Sequence, residues 1–89
     1  MKHILHFYFD PYTDYFWMIQ QSGISIRSSL SDYWRDVSLN DIGISSTFEI
    51  IEIGSSPNYI WINTPSGFIP INPLSGIKID NIDSSFYNY

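Results

Sequence analysis

Two histidines are the first residues in this chain whose chemistry could matter. His3 and His6 lie three apart in a run, His3 to Phe9, that reads as a β-strand. Side chains alternate across a strand, so the pair points to opposite faces and cannot jointly hold a metal there. Both are expected to be structural or solvent-facing. Asp10 and Asp14 flank the turn Asp10-Pro11-Tyr12-Thr13-Asp14. A carboxylate pair can bind a divalent ion or run acid–base chemistry. No third ligand stands at a recognisable spacing, and the calcium-loop pattern is absent, so these are expected to be turn acids. The chemical alternative is a small metal- or ligand-dependent enzyme using Asp10, Asp14 and a histidine.

Other routes to catalysis find less support. With no cysteine, thiol catalysis, disulfides and thiolate metal sites are excluded. Gly54-Ser55-Ser56 and Gly43-Ile44-Ser45-Ser46 are Gly/Ser turns without the following lysine and helix of a phosphate-binding loop. The serines include no Gly-x-Ser-x-Gly elbow. The expectation is therefore no catalytic residue, no cofactor and no metal.

Charge and aromatic content point to contact instead. The net charge is −5, from nine acids against four bases. Ile, Asn, Tyr, Phe and Ser, all favoured by AT-rich codons, are abundant, yet only Lys2 and Lys78 represent lysine. This deficit reads as selection against positive charge. It disfavours binding to phosphate backbones, which needs clustered Lys and Arg. It permits a basic protein partner, since opposite charge steers association. Asp32, Asp36 and Asp41 form a candidate acidic edge beside Tyr33 and Trp34. Aromatic residues make up 18% of the chain, more than so small a core needs, and Tyr and Trp are enriched at binding hot spots. Tyr12, Tyr59, Trp61, Tyr87 and Tyr89 are expected to be at least partly exposed. Trp61, Tyr59 and Phe68, with Tyr12 and the three acids, form the candidate partner-binding set. Stacking of nucleic-acid bases on these rings is disfavoured by the missing cations.

The elements that must position these residues are mostly strands. The 89 residues include sixteen Ile, one Val, four Leu and no Ala, so β-branched and aromatic side chains dominate over helix formers. Tyr59 to Ile71 reads as a hairpin around Thr64-Pro65-Ser66-Gly67. The expected register sets Asn63 against Phe68, Ile62 against Ile69, Trp61 against Pro70 and Ile60 against Ile71. Alternation then gives a core face of Ile60, Ile62, Ile69 and Ile71, with Tyr59, Trp61, Asn63, Phe68 and Pro70 on the other. Further strands are expected at His3 to Phe9, with His3, Leu5, Phe7 and Phe9 on one face, and at Tyr15 to Gln21. Both carry apolar residues on both faces, which suggests central strands covered on each side. Others are expected around Ile24 to Arg27, Ser45 to Ile53 (before a loop, Gly54 to Asn58) and Ile77 to Asp80. The one helical candidate is about residues 29–37, where Leu30, Tyr33, Trp34 and Val37 share a face that would place Trp34 in the core. The tail from Ser84 to Tyr89 shows no pattern.

The expectation is one α+β, mainly β domain over residues 1–89: a small antiparallel sheet or partly open barrel of five to seven short strands with one short helix. No segment approaches the ~18 apolar residues of a membrane span, and the N-terminus lacks a signal-peptide cleavage pattern, so the cytoplasm is the simplest location. The expected function is a non-enzymatic, acidic protein-binding inhibitor, of the type of a bacterial immunity protein that neutralises a toxin such as a basic nuclease. A phage anti-defence protein blocking a host nuclease would share the same physics.

Overall fold

A computed structural model describes residues 4–80. They form seven short strands in two antiparallel sheets with one short helix, a mainly β, α+β fold that does not close into a barrel. The first sheet has the order β1 (Ile4–Asp10), β2 (Tyr15–Gln20), β3 (Gly23–Ser28), β4 (Arg35–Val37). The second is β5 (Glu52–Ser56), β6 (Tyr59–Thr64), β7 (Gly67–Ile71). Strands adjacent in sequence are adjacent in the sheet throughout, so each sheet is a meander.

The hairpin expected from the sequence is present in its expected register, with Ile60 opposite Ile71, Trp61 opposite Pro70, Ile62 opposite Ile69 and Asn63 opposite Phe68. Thr64 anchors its turn: its hydroxyl accepts from Ser66 N at 3.2 Å and donates to the Gly67 carbonyl at 2.9 Å. Gly67 has φ +126°, a conformation side chains rarely adopt.

One hydrophobic cluster joins the two sheets. Alternation turns Trp17, Ile19, Ile24, Ile26 and Val37 of the first sheet towards Ile60, Ile62 and Ile71 of the second. Ile42, Ile44 and Ile50 of the connecting segment complete it, and Ile69 packs half-buried against it. Side chains also stitch the layers: His6 Nε2 meets the Ile50 carbonyl at 3.1 Å, and the Tyr8 hydroxyl meets Ser55 Oγ.

The structure corrects several expected elements. No helix spans residues 29–37. Leu30 is 97% and Tyr33 83% exposed, so of the proposed apolar stripe only Val37 is buried. Ser28 and Ser31 accept from the Leu30 and Tyr33 amides at 3.2 and 3.1 Å, local bonds that compete with the helical ladder. A two-turn helix needs packing to survive, whereas pairing of β4 with β3 sets Val37 into the core. The helix, α1, lies at Leu39–Ile42 and ends at Gly43 (φ +94°), whose amide donates to the Leu39 carbonyl at 2.9 Å.

The strand expected over Ser45 to Ile53 also shifts. Thr47–Glu49 is a single 3₁₀ turn fixed by a capping box. Ser46 Oγ accepts from Phe48 N, and the Glu49 carboxylate accepts from the Ser45 and Ser46 amides at 2.8 and 2.9 Å. The strand starts later and runs through Gly54-Ser55-Ser56, which the sequence suggested as a loop. Pro57-Asn58 alone make the turn, because Ser56 pairs with Tyr59. Phe48 and Ile51 are therefore exposed, while Ile50 is buried. The strand expected at Ile77 to Asp80 is reduced to one bridge, Ile71 to Lys78. His3, Tyr87, Tyr89 and the Ser84–Tyr89 tail lie outside the described residues.

The capping box gives a pH prediction. Its hydrogen bonds, led by the Ser45 hydroxyl and followed by the Ser45 and Ser46 amides, hold the Glu49 carboxyl below its ordinary value of 4.5. A depressed folded-state value stabilises the fold above the unfolded pKa, and that contribution is lost as pH falls through the folded one. Glu49→Gln should therefore unfold more easily than wild type near neutrality, with the difference shrinking under acid. Urea midpoints measured from pH 7 down to pH 3 check this; a difference constant across the range would show that Glu49 ionisation does not support the box.

Candidate binding face

The outer surface of the four-stranded sheet carries a cluster of exposed, touching aromatic rings. A register shift between Ile4 and His6 makes Leu5 the extra residue of a bulge. Beyond it His6, Tyr8 and Asp10 pair with Ile19, Trp17 and Tyr15 on the inward side. The expected grouping of Leu5 with Phe7 and Phe9 thus breaks. Leu5 packs against the core, while Phe7 and Phe9 point outwards, 57% and 42% exposed.

Two cross-strand rows run over this face. One is Phe9, Phe16, Arg27; the other is Phe7, Met18, Ser25, Asp36. The rings touch: Phe16 lies 5.1 Å from Phe9 and 5.8 Å from Phe7, centroid to centroid, and Trp34 meets Phe7 edge-on at 6.4 Å. The Arg27 guanidinium sits over both Phe16 and Trp34, at 5.1 and 5.2 Å. Its Nε is buried without a hydrogen-bond acceptor, and Nη1 donates to the Ser31 carbonyl. Cation–π attraction to the two ring faces offsets part of the cost of burying Nε without an acceptor. At the far end of its row, exposed Asp36 accepts from Ser25 Oγ at 3.2 Å, beside a shallow groove also lined by Gln20, Ser22 and Gly23.

Trp34, expected in the core, is instead 39% exposed and roofs this cluster. Asp32, also exposed, lies two residues before it. Asp41 is exposed and sits on α1, where its carbonyl accepts from Lys78 N, while Asp36 is on β4 and Asp32 precedes that strand, so no one helix carries the three acids as the helical reading required. The other arginine, Arg35, is spent on the Leu74 and Ser75 carbonyls.

The hairpin aromatics lie on the second sheet's outer face, opposite in register to its core isoleucines, and their rings touch. Tyr59, expected partly exposed, is 4% exposed. Its ring meets Phe68 edge-on at 6.1 Å, and Trp61 stacks with Phe68 at 6.3 Å. Trp61 is half-buried over Gly54, its cross-strand neighbour, and Phe68 keeps an exposed edge. These three come together as a cluster, but apart from the acids.

Tyr12 is exposed in the β1–β2 turn, as expected. Asp10, in the same turn, is buried: one carboxylate oxygen accepts from Tyr12 N at 3.0 Å and the other from Thr13 Oγ1 at 2.7 Å. That is an Asx turn, the structural role expected of a turn acid. Asp14 holds the turn's closing position at φ +60°. Among the described residues, no three His, Asp or Glu side chains converge as a metal site requires, and no helix is long and apolar enough to cross a membrane.

Sequence reasoning missed Phe7, Phe9, Phe16 and Arg27. The signal was present in strands apolar on both faces; with no helix over residues 29–37 to cover one face, that face is left open. Comparison of the chain with protein-family models, with curated proteins and with solved structures finds no match.

Proposed function

We propose that this chain is a non-enzymatic, acidic inhibitor that binds one basic protein directly, acting in the cytoplasm as an immunity protein that neutralises a toxin such as a basic nuclease. The observation that carries this reading is the exposed Phe7–Phe9–Phe16–Trp34 surface, whose one cation is already enclosed by rings. A solvent-facing aromatic cluster of this size costs solubility unless something covers it. Acids around it, Asp36 on the face and Asp32 beside Trp34, together with the −5 net charge, favour a cationic partner. Tyr12, Trp61, Phe68 and Asp41 remain candidate secondary contacts.

The test is a titration. A partner captured from the source cell is purified and its activity followed as this chain is added. Activity should fall linearly to a one-to-one end point. Reversing Asp32 and Asp36 to Lys should slow association about tenfold at low salt and flatten its salt dependence, with less effect on dissociation. A captured partner that is acidic, or whose activity survives saturation, would refute the inhibitor reading.

A further inference from the structure

We propose that the outer face of β1–β4 reads a two-part signature in its partner: a large apolar or aromatic anchor seated on Phe7, Phe9 and Met18, and a lysine or arginine reaching Asp36. This deepens the basic-partner reading and rests on it only for the sign of the partner's charge. The row Phe7, Met18, Ser25, Asp36 supplies the geometry. It is apolar at the β1 end and anionic at the β4 end. Three interstrand steps of ~4.8 Å separate the two ends by about 14 Å. An extended segment advances ~3.3 Å per residue, so a segment laid across the strands places its cation about four residues from its anchor.

The parallel row explains why the anchor takes the β1 end. There Arg27 fills the space between Phe16 and Trp34 and is held by Ser31, whereas Phe7 and Phe9 stay open to solvent. Charge complementarity selects the occupant. A second copy would bring its own Asp36 and its own net charge of −5 to the face, and a nucleic acid would bring phosphates to a surface whose single arginine is engaged. A cationic protein segment meets neither repulsion.

The experiment uses the folded full chain as bait for a random-peptide phage library, with selected peptides then synthesised and titrated. Enriched peptides should carry a large apolar or aromatic residue with Lys or Arg about four positions away. Phe7→Ser combined with Phe9→Ser should weaken binding at least tenfold. Asp36→Asn should remove the preference for the basic residue while the anchor still binds. Phe48→Ser, exposed on the 3₁₀ turn, should change nothing. Peptides without basic residues, or binding indifferent to the Phe7 and Phe9 changes in chains still folded by circular dichroism, would overturn the proposal. So would a single-stranded oligothymidylate, titrated in parallel, that binds and is lost with Phe7. A positive peptide result with no inhibition of any captured protein would sink the inhibitor reading alone.

Discussion

Ile62→Ala should lower the unfolding free energy by about 2–5 kcal/mol, the range for truncating a fully buried aliphatic side chain. Ile62 is 1% exposed and sits mid-strand on β6 between Ile53 and Ile69, its cross-strand partners. Core residues of the first sheet face it across the shared cluster. A chain of this length buries only about 60–65% of its unfolded surface and has little stability to spare. The mutant should therefore be partly unfolded at moderate temperature. Ile69→Ala, half-buried on the same face, should cost less. Urea titrations followed by circular dichroism check both. An Ile62→Ala midpoint within ~0.5 kcal/mol of wild type would mean that the isoleucine face is not the core.

Gly54→Ala should be the most disruptive single-methyl addition in the described chain. A Cβ built at Gly54 falls 2.1 Å from Trp61 Cζ2 and 2.6 Å from Cε2. The indole lies flat on the glycine across the strand pair and must leave if any side chain is added. Its departure also breaks the stack on Phe68. The expected cost is about 1–3 kcal/mol, as for other overpacked sites, with a red shift in tryptophan emission. Added to Trp61→Ala, the same glycine change should cost far less, because the obstacle is gone. Equal cost in both backgrounds would show that the ring does not occupy this position.

What the sequence made legible was local. Turn chemistry around Pro65 and Gly67, with strict alternation either side, set the hairpin register and the face of every isoleucine in it. The same rule identified β2 and β3 within a residue or so. It failed where two periods competed. Leu30, Tyr33, Trp34 and Val37 satisfy a helical repeat by coincidence, while Ser28 and Ser31 form turns and Val37 pairs in an edge strand. It failed again at Leu5, because a bulge inserts one residue and inverts every side chain beyond it. This bulge, at Ile4-Leu5-His6, carries no glycine to mark it, so the outward turn of Phe7 and Phe9 could not be read from spacing. The acids were correctly seen as exposed, but their grouping depended on the helix that is not there. The hairpin aromatics were seen as a face in need of cover; the cover for Trp61 includes Gly54, a residue expected in a loop.

On the proposed reading, the outer face of the first sheet meets a basic protein. The most direct measurement is an amide and side-chain NMR footprint of the labelled chain with and without its purified partner. Signal loss or shift should be confined to Phe7, Phe9, Phe16, Met18, Trp34 and Asp36, with the β5–β7 core resonances unchanged. A footprint centred on Trp61 and Phe68, leaving the β1–β4 face unperturbed, would contradict it.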